Sequence, residues 1–227
     1  MLTGRTKLVG LIGNPVEHSL SPAMQNAAFA ARGLDWAYLP LLVGDGRVED
    51  AVRGLVALGF AGANVTAPHK AAAAAASDTE LDSVNVLVVS DGRVQGLSTD
   101  TAILDGLPAE HPVILGSGGS AAAFRAALPG ARVFSRSGAW PPDVADADLV
   151  VHATSERDEA LCALTEGQTL IDLPYPETAT GRAAREAGAT VVSGLEVLVA
   201  QGAASFEIWT GVPAPVEVMR AAVGLPT

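Results

Sequence analysis

The sequence predicts an α/β fold built from two sheet-containing units. In the first hundred residues short apolar segments alternate with helical ones, which is the pattern of a mainly parallel sheet. A second unit begins near Pro112, where a buried-type strand runs at once into a glycine turn and a helix. Mostly apolar helical segments follow from residue 195 onward.

Composition and charge restrict the functions to be considered. The chain has 227 residues, of which 49% are hydrophobic and 17% charged, so it can bury one large core or two small ones. Its net charge of −11 argues against binding to nucleic acid or to anionic lipid. No apolar segment is long enough for a membrane span or a signal sequence, and Cys162 is the single cysteine. We therefore expect a cytoplasmic protein without nucleic-acid or membrane partners.

The first unit is predicted as three strand–helix repeats followed by a hairpin. Strands are expected over residues 7–12, 36–43 and 60–65, and helices over 23–32 and 48–58. Ser21 precedes Pro22 and is the expected N-cap of the first helix, which leaves Ser19 without a structural role. Strands over 83–89 and 94–96 flank a turn, and a helical segment is expected over 101–107.

The stretch of residues 64–70, with the sequence NVTAPHK, joins the third strand to a run of six alanines. Alanine favours helix and proline suits the first helical position, so a helix is expected to begin at Pro68. Lys70 then lies in the first turn, where the helix dipole disfavours a cation by about 0.3–1 kcal/mol. Lys70 is therefore a candidate for proton transfer, and a solvated lysine at a helix start is the alternative.

The second unit opens with a candidate phosphate-binding loop. A strand over 113–115 leads directly into the residues Gly116, Ser117, Gly118, Gly119 and Ser120, and a helix is expected over 122–128. Glycines in this position permit a tight turn and let a pyrophosphate approach the backbone, and a small residue at the next turn allows helix and strand to pack. The order strand, glycine loop and helix predicts a dinucleotide site.

The end of the next strand predicts which dinucleotide binds. Ser135, Arg136 and Ser137 follow a strand over 132–134, at the place where an NAD enzyme carries an acidic residue for the ribose 2′-hydroxyl. An arginine between two serines instead suits a 2′-phosphate, so NADP is the expected cofactor. Residues 138–142 bring no second cation to this loop.

The rest of the chain completes the predicted organisation. Further strands are expected over 149–152, 169–172 and 189–192, a helix over 178–187, and helical segments over 195–202, 204–209 and 215–223. The predicted domains are residues 1–100, 101–194 and 195–227. The four histidines show no close metal-ligand spacing, so no metal site is expected.

Several multi-residue motifs occur in a fixed order along nearly the whole chain. They are GNP at 13–15 with SLSP at 19–22, NVTAPHK at 64–70, VN at 84–85, TD at 99–100, the glycine loop, SRS at 135–137, ATS at 153–155, Gly194 before LVAQG, and FEIWTG at 206–211. In this order they resemble the shikimate dehydrogenase family.

The resemblance implies a substrate domain, a Rossmann-like NADP-binding domain, and C-terminal helices that return to the substrate domain. Such enzymes reduce 3-dehydroshikimate to shikimate with NADPH, on the route to aromatic amino acids. The family's proton-transferring pair falls on Lys70 and Asp100. Its substrate contacts fall on Ser19, Ser21, Thr66, Asn85, Tyr175 and Gln201, and its cofactor contacts include Leu173 and the backbone of Gly194 in addition to the glycine loop and residues 135–137.

Other interpretations remain open at this point. Asn64 and Thr66 could cap the alanine helix, Asn85 could be a turn residue, and Gln201 could be an exposed helix position. The chain is shorter than is usual for the family, and residues 156–159 are acidic where the family tends to carry glycine. A quinate- or aminoshikimate-type dehydrogenase, or a catalytically weak paralogue that binds a shikimate-like ligand, is the alternative function. A monomer or a homodimer is expected.

Overall fold

The computed structural model describes residues 2–226 and divides into two compact units. The first unit comprises the described parts of Met1–Thr99 and Val199–Thr227, and the second comprises Asp100–Leu198. The α/β class expected from the sequence is confirmed, because each unit contains a five-stranded sheet flanked by helices. The three-part domain division drawn from the sequence stays a prediction.

The first unit is built around a mixed sheet with the strand order β2-β1-β3-β4-β5. Its elements are β1 Lys7–Gly13, α1 Ser21–Ala31, β2 Trp36–Leu42, α2 Val48–Ala57, β3 Gly62–Val65, α3 Lys70–Ala75, β4 Val86–Ser90 and β5 Arg93–Leu97. The first three strands are parallel, but β3–β4 and β4–β5 are antiparallel. The sheet is therefore mixed. The hairpin expected after the third strand is present, and Asp91 and Gly92, with φ of 51° and 74°, close its tight turn.

Helices cover both faces of this sheet. In α2 the buried residues Val48, Val52 and Leu55 are spaced for one helix face, and they pack with Phe60 and Leu87 in one core cluster. The helix α1 packs against α7, which spans Val216–Ala222.

Three helical segments expected within residues 1–107 differ from the structure. The helix α1 begins at Ser21 itself, its N-cap residue is Leu20, and no side chain caps it, so the capping role expected of Ser21 is wrong. Ser19 Oγ accepts the Ser21 N–H at 3.2 Å. The helix α3 begins at Lys70, two residues after Pro68, and no side chain caps it. The segment over 101–107 forms only a short 3-10 turn, Ala102–Leu104.

The C-terminal segments expected as separate helices form one long helix, α6 Gly194–Thr210, before α7. The helix continues through Gly202, where a β-carbon would collide with the end of the Met24 side chain, so glycine lets Met24 of α1 pack closely against α6. Its first turn is fixed by Ser193 and Glu196, since the Glu196 carboxylate accepts the Ser193 N–H at 2.8 Å and the Ser193 hydroxyl accepts the Glu196 N–H at 3.3 Å. This is a capping box, and the sequence S-x-x-E at 193–196 carries its signature.

The second unit is a parallel sheet with the order β10-β9-β8-β6-β7. Its elements are β6 Pro112–Leu115, α4 Gly119–Ala127, β7 Arg132–Phe134, β8 Leu149–His152, β9 Thr169–Asp172, α5 Ala179–Glu186 and β10 Thr190–Ser193. The order reverses between β6 and β8, and open α/β sheets bind ligands beyond the carboxyl ends of the strands at such a switch point. The helix α4 begins three residues earlier than expected, inside the glycine loop.

Each face of this second sheet has its own core. Ile114 packs with Ala121 and Phe124 of α4 on one face. Leu115 packs with Leu170 and with residues of α5 and of the loop segments on the other face. Within the described residues 2–226, no helix is long and apolar enough to cross a membrane.

We expect Gly62→Ala to destabilise the first unit by about 1–3 kcal/mol, because an added methyl group overpacks a close contact. Trp209 Nε1 donates to Leu87 O at 3.0 Å across the face of β3, and a β-carbon at Gly62 would collide with both atoms. Urea unfolding followed by tryptophan fluorescence measures the change.

The matched control is Gly54→Ala in α2, where a β-carbon would meet nothing within 4 Å. This substitution should stabilise the helix by about 0.5–1 kcal/mol. Equal unfolding midpoints for Gly62→Ala and the unsubstituted protein would contradict the close packing of Trp209 on β3.

Candidate active site

Two loops that carry predicted site residues meet at the switch point of the first sheet. The strand β1 lies between β2 and β3, so the loops after β1 and β3 leave the same edge. They are joined by a hydrogen bond from Thr66 N to Ile12 O at 2.8 Å and a longer one from Asn14 N to Ala67 O at 3.4 Å. A β-carbon at Gly13 would collide with the Thr66 methyl group, so glycine lets the two loops approach.

The two serines that follow β1 differ in burial: Ser19 lies in the loop and Ser21 is the first residue of α1. Ser19 is half-buried and its hydroxyl serves the start of α1, whereas Ser21 is only 5% exposed. Tyr38 of β2 lies beside Ser21. Burial raises the pKa of the Tyr38 phenol above its ordinary value, and its hydrogen bond with the Ser21 side chain offsets only part of that rise. The phenol is therefore a neutral hydrogen-bond donor at physiological pH.

The loop after β3 is held at both ends of the segment from Thr66 to Lys70. Thr66 O accepts the His69 N–H at 3.0 Å, and the buried His69 ring places Nε2 2.7 Å from Val43 O. Lys70 is half-buried at the first position of α3, and its carbonyl accepts the Val84 N–H at 3.2 Å. The contacts of His69 thus hold the segment from Thr66 to Lys70 in place, and the sequence did not reveal them.

A buried hydrogen-bonded cluster lies beneath these loops. We call this cluster the amide network. It contains one residue of β3, one that precedes β4, one that follows β5 and two of α6: Asn64, Asn85, Thr99, Gln201 and Ser205. Asn64 Oδ1 accepts the Tyr38 hydroxyl at 2.8 Å, and Asn64 Nδ2 donates to Asn85 O and Ser205 Oγ, both at 3.0 Å. Asn64 therefore does not cap the alanine helix.

Asn85 connects the network to the segment after β5. Its Oδ1 accepts the Thr99 N–H at 2.7 Å, and its Nδ2 donates to Thr99 Oγ1 at 3.0 Å and to Gln201 Oε1 at 3.3 Å. Thr99 Oγ1 lies 3.1 Å from Gln201 O. Asn85 is 2% exposed and Gln201 is half-buried, so neither is a solvated surface residue. Asp100, half-buried, follows the immobilised Thr99 directly in the chain.

In the second unit the predicted glycine loop makes a tight turn between β6 and α4. Gly116 has φ of 129°, and a β-carbon there would lie 2.5 Å from Ala153 O, so only glycine fits. Gly118 is the N-cap of α4, and a β-carbon there would meet nothing within 4 Å. The exposed turn leads directly into the first turn of the nine-residue helix α4, and helix N-termini in general favour anions.

The other predicted cofactor residues lie at the carboxyl ends of strands of the same sheet. Gly194 follows β10 and approaches the end of β9 so closely that a β-carbon would collide with Leu173 O. Arg136 follows β7 and is exposed, with Ser135 and Ser137 on either side. Tyr175 is half-buried two residues after Leu173.

A buried histidine–aspartate pair supports this edge of the second sheet and was not predicted as a site. His152 and Asp172 are 0% and 1% exposed and lie opposite each other at the ends of β8 and β9. Nδ1 of His152 donates to Asp172 Oδ1 at 2.7 Å, and its Nε2 lies 2.7 Å from Thr154 Oγ1. Asp172 also accepts the N–H and the hydroxyl of Thr178, each at 3.0 Å. The sequence signal that could have identified this pair is a polar residue at the end of each of the two predicted strands, 149–152 and 169–172.

The carboxylate of this pair is stabilised in its charged form. Burial raises the pKa of Asp172, but the hydrogen bonds from His152 and Thr178 outweigh burial and hold the pKa below its ordinary value. In the part of the chain that the structure describes, no group of three or more His, Cys, Asp or Glu side chains is arranged to hold a metal ion.

Comparison with known proteins gives consistent matches to one family. The model of the shikimate dehydrogenase substrate binding domain matches residues 11–87, and that of the shikimate 5′-dehydrogenase C-terminal domain matches residues 194–223. A shikimate dehydrogenase (NADP(+)) of Anaeromyxobacter sp. (strain Fw109-5) is 38% identical, over 100% of this chain and 99% of the relative. Another, from Methanopyrus kandleri, is 40% identical over 96% of this chain and 95% of the relative.

A solved structure agrees over nearly the full length. Shikimate 5-dehydrogenase from Thermus thermophilus, in complex with NADP(H) and shikimate, has a TM-score of 0.86 at 28% identity. The match covers 95% of this chain and 98% of that protein.

We expect Asp172→Asn to destabilise the second unit by about 3 kcal/mol near neutral pH, because it removes a buried carboxylate from its donors. A group whose folded pKa is lowered stabilises the fold above its unfolded pKa, and that contribution is lost as pH falls through the folded pKa. The difference between the unsubstituted protein and Asp172→Asn should therefore shrink below about pH 4. Urea unfolding of both proteins across this range measures it.

The control is Asp158→Asn, which removes an exposed carboxylate from the neighbouring loop and should leave stability unchanged at neutral pH. A stability difference for Asp172→Asn that stayed constant down to pH values well below the ordinary aspartate pKa would contradict a charged Asp172 in the fold.

Proposed function

This chain belongs to the shikimate dehydrogenase family, and from that premise we propose that it catalyses the reversible NADP-dependent reduction of 3-dehydroshikimate to shikimate. It is an oxidoreductase of the CH–OH class, and its substrates are small molecules. The family relatives that span nearly the whole chain, at 38% and 40% identity, carry this name. NADP is the cofactor.

Lys70 and Asp100 are proposed as the proton-transferring pair. When bound, NADPH supplies a hydride to the ketone carbon, and negative charge develops on the ketone oxygen. A positioned acid must then deliver a proton to that oxygen. We assign this role to the Lys70 ammonium, whose backbone is fixed at the start of α3. The Asp100 carboxylate orients it.

Neutral hydrogen-bonding groups are proposed to hold the substrate ring. A polyhydroxylated ring needs donors and acceptors without net charge, and the residues assigned to it share that character: Ser19, Ser21, Thr66, Asn85, Tyr175 and Gln201. Ser19 and Ser21, together with the Tyr175 hydroxyl, are assigned to the substrate carboxylate. The observation that carries this assignment is the direct joining of the two loops, by Thr66 N to Ile12 O, at the switch point of the first sheet.

The second unit is proposed to bind the cofactor at its own switch point. The loop of Gly116, Ser117, Gly118, Gly119 and Ser120 would hold the pyrophosphate, and Leu173 and the backbone of Gly194 would contact the nicotinamide. Arg136, with Ser135 and Ser137, would bind the 2′-phosphate, since a guanidinium matches phosphate geometry.

Two further features of the protein are proposals that rest on composition. A chain with a single cysteine cannot form an internal disulfide, which suits the reducing cytoplasm, and we propose that compartment for the enzyme. A monomer or a homodimer is proposed as the assembly.

We expect purified protein to reduce NADP⁺ with shikimate, and Lys70→Ala to lower kcat about a hundredfold or more by removing the acid–base group. Shikimate binding, measured by calorimetry, should persist in this variant, because the neutral contacts remain. Lys7 is the other lysine of the chain and lies 5.2 Å from the Trp36 ring centroid, so Lys7→Ala removes the same charge as a control.

Turnover rates with shikimate, quinate and aminoshikimate, measured side by side, separate the proposed function from its alternatives. Faster turnover of quinate or aminoshikimate than of shikimate would assign the enzyme to one of those dehydrogenase types. Shikimate binding without turnover of any ring substrate would identify a non-catalytic paralogue and contradict the proposal.

A further inference from the structure

The guanidinium proposed for the 2′-phosphate is bound by carboxylates of its own chain. Arg136 Nη2 donates to Glu159 Oε2 at 2.6 Å and lies 3.4 Å from Glu156 Oε2. The Trp140 ring centroid is 5.9 Å from the guanidinium carbon. Both glutamates belong to the acidic loop, residues 156–159, which follows β8.

The acidic loop is held in place by bonds of its own. Glu156 Oε1 accepts the N–H groups of residues 157, 158 and 159 at 3.0, 3.1 and 3.3 Å. Glu156 N donates to Thr154 Oγ1 at 3.1 Å, which links the loop to His152, and Ala179 N donates to Arg157 O at 2.8 Å. Backbone hydrogen bonds from Asp158 and Glu159 hold the pKa of Glu156 below its ordinary value.

The two glutamates differ in how easily they can leave Arg136. The Glu156 side chain is 26% exposed and is fixed by three backbone donors, so its position is part of the loop fold. The Glu159 side chain is 70% exposed, and its carboxylate bonds the Arg136 guanidinium at the protein surface. A phosphate and a carboxylate repel each other and compete for the same donors of one guanidinium.

We infer that Glu159 is a specificity-determining residue, which occupies the edge of Arg136 needed by a 2′-phosphate and so reduces the preference for NADP over NAD. This inference rests on the proposed function, in which Arg136 meets the 2′-phosphate. Residues 138–142 contribute no second cation that could offset the competition.

Glu159→Gln should tighten binding of 2′,5′-ADP about twofold to fivefold, the range expected when one exposed ion pair is removed. Binding of 5′-AMP, which lacks the 2′-phosphate, should not change. Isothermal titration calorimetry of both nucleotides measures this without turnover. Gln keeps the size of the side chain, and circular dichroism checks the fold.

The matched control is Glu49→Gln. Glu49 is 74% exposed and bonds Arg53 at 2.6 Å in the first unit, so the substitution makes the same charge change at a similarly exposed ion pair. It should alter neither dissociation constant. An unchanged 2′,5′-ADP affinity in Glu159→Gln, or an equal change for 5′-AMP, would overturn the inference.

Arg136→Gln separates this inference from the proposed function. It should abolish the preference for 2′,5′-ADP over 5′-AMP, and Glu159→Gln should then have no further effect in the double variant. If Arg136→Gln abolishes the preference while Glu159→Gln changes nothing, the inference alone is overturned. If Arg136→Gln retains the preference, the 2′-phosphate assignment fails, and the inference fails with it.

Discussion

The first unit depends on one constraint: the buried amide groups of Asn64 and Asn85 must find hydrogen-bond partners. Asn64 lies in β3 next to its last residue, Asn85 directly precedes β4, and both side chains are almost fully removed from water. A buried amide without partners costs more than a single net hydrogen bond contributes. In the amide network these partners are Thr99 and residues of α6. The network therefore holds the segment before Asp100 against the face of α6 that carries Gln201.

The network also explains why C-terminal residues complete an N-terminal fold. Ser205 bonds Asn64 across 141 positions of sequence, and Trp209 Nε1 reaches Leu87 O over the glycine of β3. Aromatic packing adds to this, since the rings of Phe29 and Phe206 stack with centroids 5.3 Å apart. The hydrogen bonds of Ser205 and Trp209 and the ring stacking of Phe206 therefore hold the same helix, α6, in place.

Much of this fold was predictable because local signals agreed with the final structure. Strand–helix alternation identified the α/β class, and the glycine loop identified the end of β6. Positive φ at Gly116 supplies the reason for glycine there. Prediction failed where long-range contacts decide. The helix α6 carries a glycine at position 202, where Met24 from the other end of the chain packs against it. The start of α1 was a local error, since Ser19 rather than Ser21 bonds its first amide. The roles of His69 and His152 depend on partners that only the folded chain brings near.

Shikimate binding in a variant of the amide network tests most directly whether the network positions the ligand groups. Ser205 is fully buried, donates to Gln201 O at 2.8 Å, and has no assigned substrate contact. In calorimetric titrations we expect Ser205→Ala to weaken shikimate binding about threefold to tenfold, the equivalent of one lost hydrogen bond, while the protein stays folded. Unchanged shikimate affinity, with only a lower unfolding midpoint, would contradict a positioning role and leave the network a purely structural one.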